Sequence, residues 1–196
     1  MTPRLPAAAR RQQLLGVALG EFGATGYHET SMADIASRAG VTKPVLYQHF
    51  ESKRHLFIEV LRDAGCRVRS AIDAATAGVA DGRTQVEAGF GAFVGYFVDE
   101  PSSFRVLFSD SSRVDEAFAA EIAAVEEGLA EQIAALISIE GTDEVDRQLL
   151  AHGIVGMAEA TVRYWRTAAP DLPAERVIAL LSEQAWAGLR GPRRHV

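Results

Sequence analysis

The chain reads as an all-α protein: an N-terminal three-helix head carrying a helix-turn-helix, set on a larger helical body, with about nine helices in all. Three observations predict this. Almost every periodic segment places apolar residues at helical spacing, and strand-like alternation is nearly absent. Breaks at Gly26-Tyr27, Gly78, Asp81-Gly82, Pro101, Gly141 and Pro170–Pro173 cut the chain into helix-sized lengths. Near the N-terminus, two short apolar-faced segments flank Gly40 so closely that only a tight helix–helix turn joins them.

The elements follow in order. Leu14, Leu15, Ala18 and Phe22 form one stripe, so the first helix runs from about Pro6 to Ala24 before Gly26-Tyr27 breaks it. Thr30 suits the N-cap of the second helix, and Ser31 with Asp34 suits a capping box; Ile35, Ala36 and Ala39 give that helix an apolar face. Gly40 reaches the positive φ that ends a helix sharply. Thr42 is placed to cap the third helix, Lys43 to His49, whose Pro44 sits in the first turn, where the missing N–H costs nothing. Glu51-Ser52 punctuates. A long helix from about Lys53 to Ala77 turns Leu56, Val60, Leu61 and Val68 inward, and its continuity lets movement at one end reach the other. This divides the chain into a head over 1–52 and a body over 53–196, with the fourth helix connecting them.

In the body, a helix over Thr84–Val98 is rich in aromatics, with Phe90, Phe93, Tyr96 and Phe97, and Asp99-Glu100-Pro101 stops it. A short helix carries Phe104, Leu107 and Phe108, and a longer one spans Val114–Ile139. Gly141-Thr142-Asp143 stops and recaps the chain for a helix from Glu144 to about Ala168. The last helix covers Pro173–Leu189, and Gly191–Val196 forms a frayed basic tail.

A hydrophobic fraction of 48% is ample for a core. The net charge of −6 divides unevenly, +4 over residues 1–70 and −10 over 71–196. Both lysines, Lys43 and Lys53, fall in or beside the helix-turn-helix. A basic head on an acidic body suits a protein that docks on DNA one way round. Cys66 stands alone, which excludes an intrachain disulfide, and its helical setting predicts core packing. Arg10-Arg11 interrupt the short Ala7–Ala9 run, and no apolar stretch approaches the roughly 20 residues of a membrane span. The expectation is a cytoplasmic protein with no membrane partner. The chain holds no His-Glu-x-x-His, no Gly-rich phosphate loop, no nucleophile elbow and no oriented Cys/His pair, so neither catalytic residues nor a metal or other cofactor is expected.

The order Leu14-Leu15, Ala18, Phe22, Gly26-Tyr27, Thr30-Ser31, Ile35-Ala36, Ala39-Gly40-Val41, Leu46-Tyr47, His49-Phe50, Ser52-Lys53 and Leu56 resembles the N-terminal domain of the TetR family of bacterial transcriptional regulators. The resemblance covers roughly residues 10–57; the rest matches the family only in length, helical content and helix count. It implies a homodimeric, ligand-responsive regulator, most often a repressor, that leaves a palindromic operator when a small molecule binds the body.

On that reading, Lys43 reaches a guanine edge or a phosphate, Pro44 and Val45 offer apolar surface to a thymine methyl, and Gln48 pairs with adenine or a phosphate. Tyr47 and His49 resemble the family's phosphate-contacting positions. Lys53 begins the fourth helix where a phosphate would also sit, while Thr30, Ser31 and Thr42 place hydroxyls at anion-favouring helix N-termini. Arg4, Arg10 and Arg11 form either a solvated arm or further DNA contacts. Phe90, Phe93, Tyr96, Phe97, Phe104, Leu107 and Phe108, with Met157, Tyr164 and Trp165, are candidates for an apolar effector cavity, and Arg105, His152, Glu159 and Arg163 are candidates to orient its ligand, although an aromatic stripe at helical spacing is more often plain core. Val155, Ala158, Val162, Val177, Leu180, Leu181, Ala185 and Leu189 on the last two helices suit a two-fold four-helix interface.

Overall fold

In the computed structural model, which describes residues 6–108 and 115–189, the described residues form helices α1 (Ala7–Glu29), α2 (Met32–Arg38), α3 (Lys43–His49), α4 (Lys53–Thr76), α5 (Gly82–Asp99), α6 (Pro101–Phe108), α7 (Glu116–Leu136), α8 (Glu144–Ala168) and α9 (Ala174–Leu189), with no strand. The expected boundaries hold to within a few residues in α3, α4, α5 and α9. Val114, Arg4 and the tail 191–196 lie outside the described residues.

Hydrophobic periodicity decides which way α1 faces: Leu14, Leu15, Ala18, Leu19 and Phe22 are all buried. Helical turns continue past Ala24 to Glu29, yet Gly26 leaves the helix with φ +84° and ψ 167°, so the break falls where Gly26-Tyr27 predicts it. Ser31, rather than Thr30, is the N-cap of α2. Its Oγ accepts from Asp34 N (3.2 Å) while Asp34 Oδ2 accepts from Ser31 N (3.2 Å), which closes the capping box.

The chain forms two compact units. The first comprises Met1–Gly65 and Glu100–Ala123, the second Cys66–Asp99 and Ala124–Val196. The division between compact units falls inside α4, and α6 and the start of α7 belong to the first unit.

In the first unit an aromatic cluster fills the core. Phe57 meets Phe22, Tyr27 and Phe118 at centroid distances of 4.9, 5.0 and 4.6 Å, and Tyr27 meets Phe118 at 4.7 Å. Helix α6 packs on α1 at Gly23, where a Cβ would stand 2.6 Å from Ser102 Cβ and 2.8 Å from Ser102 Cα. A hydrogen is the only side chain that allows this approach.

In the second unit α5 and α8 pack on α9, around Val94, Phe97, Ala151, Val162 and Leu181. Asp143 opens α8 through a second capping box with Asp146. Cys66 is exposed, contrary to its expected burial. The inward stripe of α4 runs through Leu61, Ala64, Val68 and Ile72, and position 66 lies off it.

Candidate functional site

The turn between α2 and α3 is built by one glycine. Gly40, at φ +66°, donates to Ser37 O (3.1 Å), and Val41 N donates to Ala36 O (2.9 Å). This pair of bonds is a Schellman motif, which closes α2 and reverses the chain. Thr42 then starts α3 as its N-cap by backbone conformation alone, since its hydroxyl caps nothing, a correction to the expected side-chain cap.

One buried residue orients α3. Leu46 is fully buried, so the opposite face turns outward: Lys43, Pro44, Tyr47 and Gln48 are exposed and share one side of the helix, with Tyr47 48% accessible. Val45 and His49 are half-buried on its flanks, and the first turn of α3 carries no acidic residue. This face presents a cation, two amide or phenol groups and an apolar ring edge together, the mixture that reads base edges and phosphates.

Polar pairs tie α1, α2 and α4 together around this unit. Arg38 of α2 pairs with Glu21 of α1 (2.7 Å). Lys53 Nζ donates to His28 O (3.1 Å) and Thr30 O (2.9 Å) and lies 4.4 Å above the Tyr27 ring, clamping the α1–α2 connection to α4. Two residues expected at phosphates also have partners inside the fold. The Lys53 ammonium is committed to backbone carbonyls and a ring, and Thr30 is 3% exposed with its hydroxyl donating to Gly26 O (2.8 Å). Arg11 likewise pairs with Glu59 and stacks 4.7 Å over the Phe50 ring, while Arg10 bonds Gln13. Ser31 stays exposed, sharing its hydroxyl with the Asp34 carboxylate. The hydroxyl and backbone N–H of Ser31, with Lys43 nearby, hold that carboxylate below its ordinary range. Such a lowered carboxylate stabilises the head above its unfolded-state range, and that contribution disappears as the pH falls through the folded-state value. Ser31→Ala is expected to cost about 1 kcal/mol at neutral pH. Denaturant titrations should show the gap from the parent protein narrowing in acid, and a gap that stays constant with pH would separate the cap from Asp34 ionisation.

The second unit contains a cavity of about 590 Å³. Its wall includes Phe90, Phe93, Ile133, Ile154 and Trp186, with the end of α4 supplying Ile72 and Thr76. Of the residues expected to line a pocket, Phe90 and Phe93 do so. Phe97 is fully buried and packs on Phe93 and Tyr96 (5.0 Å each). Phe104 and Phe108 pack together (5.1 Å) in the first unit, where Arg105 Nε holds the Gly23 carbonyl. His152 is exposed beside Glu127 (3.5 Å), Glu159 pairs with Arg163, and Tyr164 is 67% accessible. Trp165 donates its indole N–H to Leu172 O (2.8 Å). The expected dimer face is corrected as well. Val155, Ala158, Val162, Val177, Leu181 and Ala185 are buried within their own chain, and Leu189 lines the cavity, which leaves only Leu180 of that set exposed. The residues missed, Trp186 above all, sit opposite small ones: a Cβ at Gly82 would lie 3.3 Å from the Trp186 ring.

The pattern described as "Bacterial regulatory proteins, tetR family" matches residues 14–60, and "Tetracyclin repressor-like, C-terminal domain" matches 83–188. The chain belongs to the TetR family of transcriptional regulators. As a TetR-family protein it is an all-α, DNA-binding transcription regulator, and its relatives are regulators, not enzymes. It is 32% identical over 187 residues to "HTH-type transcriptional activator FasR" of Mycolicibacterium smegmatis, a match covering 95% of this chain and 85% of that protein. A TetR-like regulator from Rhodococcus sp. RHA1 is also 32% identical, with a TM-score of 0.77 over 96% of this chain and 100% of that one. The fatty acid degradation regulator FadR from Bacillus halodurans shares the TetR fold (TM-score 0.79, covering 99% of this chain and 100% of that one) at 16% identity. Among the described residues no helix is long and apolar enough to cross a membrane.

Proposed function

We propose that the protein is a homodimeric regulator that reads a palindromic operator through α3 and is released from it by an apolar or amphipathic small molecule held in the second-unit cavity. The observation that carries the reading is the exposed Lys43, Pro44, Tyr47 and Gln48 face, set on a helix fixed from behind by the buried Leu46. Thr42, Val45 and His49 border that face, and Ser31 adds the start of α2. Two heads about one helical turn of DNA apart would read a palindrome that one head is too small to specify.

Dimerisation is assigned to the outward faces of α8 and α9. Val145, Leu149, Gly156 and Tyr164 recur along the exposed side of α8, and Leu180 is 49% accessible on α9. Such a strip of exposed apolar and small residues suits an isologous helix pair.

For the ligand response, α4 offers a physical route. The same helix supplies Ile72 and Thr76 to the cavity wall and Lys53 and Phe57 to the head. Moving a dimer from DNA-bound to released across a 1:99 to 99:1 range takes a differential affinity of about 5.5 kcal/mol, shared by two ligands. The sequence-level expectation of a repressor remains part of the proposal. Because the relative named FasR is an activator, the sign of regulation is to be read from a promoter reporter.

The test is binding to the DNA flanking the protein's own gene, at two salt concentrations, with random DNA as competitor. Tight, competitor-resistant binding to a palindrome is expected. Lys43→Ala should cost about 1–3 kcal/mol on the operator and little on random DNA. Lys53→Ala should lower thermal stability and leave the slope of affinity against salt unchanged, because its ammonium is spent inside the fold. Equal losses on operator and random DNA for Lys43→Ala would remove its base-reading role.

A further inference from the structure

We propose that the cavity of the second unit selects an apolar ligand whose head group donates hydrogen bonds, an alcohol or an amine, and rejects carboxylates. This rests on reading the cavity as the effector site, and it fixes the chemistry that site accepts.

The polar side chains along the wall are few, Thr76, Gln85, Ser138, Glu140 and the indole of Trp186, and Thr76 and Glu140 are the acceptors for a head group. Thr76, 5% exposed, spends its hydroxyl hydrogen on Ile72 O (2.9 Å), which leaves oxygen lone pairs as what it offers. Gln85 gives an amide hydrogen to Val79 O (3.4 Å). The single charged lining residue among those described is Glu140, which is exposed and therefore stands at the opening. No Lys, Arg or His of the described residues lines the cavity. Two arginines of the second unit, Arg147 and Arg83, are occupied elsewhere. Arg147 binds Glu144 and the Thr142 carbonyl, and lines a separate hollow; Arg83 bridges Glu87 and Glu183.

A carboxylate entering this space would lose its water, meet no counter-charge among the described lining residues and sit in the field of Glu140. A hydroxyl or ammonium finds acceptors, and the ammonium also gains the Glu140 charge and the faces of Phe90, Phe93 and Trp186. The volume lies in the range of small-molecule sites.

The test uses the full chain and three probes of one chain length, decanol, decylamine and decanoate, kept below their aggregation concentrations at neutral pH. Calorimetry gives the affinities. Loss of the indole fluorescence response in Trp186→Phe places the bound probe. Decanol and decylamine are expected to bind at least about tenfold more tightly than decanoate. Glu140→Gln, at an exposed position that the fold does not need, should weaken decylamine, strengthen decanoate and leave decanol unchanged. Decanoate binding as tightly as decanol overturns the proposal, as does failure of all three to bind. Operator binding is measured separately with each probe: the expected order of affinities without DNA release upholds the head-group preference and overturns the ligand switch.

Discussion

Phe57→Ala is expected to destabilise the head by about 3–5 kcal/mol, the usual cost of emptying a fully enclosed aromatic site. Phe57 is 1% exposed and touches Phe22, Tyr27 and Phe118, so its removal opens a void bounded by α1, α4 and α7 at once. The same void loosens Tyr27, the ring beneath Lys53, and with it the clamp on the α1–α2 connection. Operator affinity should therefore fall alongside the denaturation midpoint, although Phe57 meets no DNA. Phe57→Leu, which refills most of the space, should recover the larger part of both losses. A loss below about 1 kcal/mol for the alanine variant would mean that the cluster repacks, and that head rigidity does not depend on it.

The second large effect concerns assembly. Tyr164→Asp combined with Leu180→Asp places two charges on the proposed interface, where each would be desolvated without a partner. Light scattering should report a monomer, with helix content unchanged because both side chains project away from their own core. Tethering two heads raises affinity for paired half-sites by about 10²–10⁴ over either alone, so operator binding should drop by a factor in that range while half-site binding is preserved. A double variant that remains dimeric would move the interface elsewhere on the chain.

How much of this was readable from residues alone depended on how far each decision reaches along the chain. The α2–turn–α3 unit is decided within about a dozen residues by Ser31 and Asp34, by Gly40 and by Pro44, and those local rules held. Thr30 and Lys53 carry the same polar groups that helix starts use to meet phosphate. They were claimed instead by Gly26 and by Tyr27, through a kink and a ring whose placement only tertiary packing reveals. The cavity was legible only at Phe90 and Phe93, for a complementary reason. Aromatics at helical spacing, such as Phe97, Phe104 and Phe108, mark where volume is filled, whereas a hollow arises where Ala80, Gly82, Gly89 and Ala185 leave volume out. Likewise, periodicity shows that α8 and α9 have apolar stripes without saying which stripe faces the chain's own core; Val162 and Leu181 answered inward, Tyr164 and Leu180 outward.

The way α6 nests on Gly23 of α1, and Phe118 on Phe57, governs how such regulators are recombined. A chimera joined at 52/53 would import a DNA reader while leaving behind the rings that fill it and the lysine that ties its loop. A graft that keeps sequence preference must take the start of α4 through Gly65 together with the separate stretch 100–123, so the smallest transplantable reader of this protein is discontinuous in sequence.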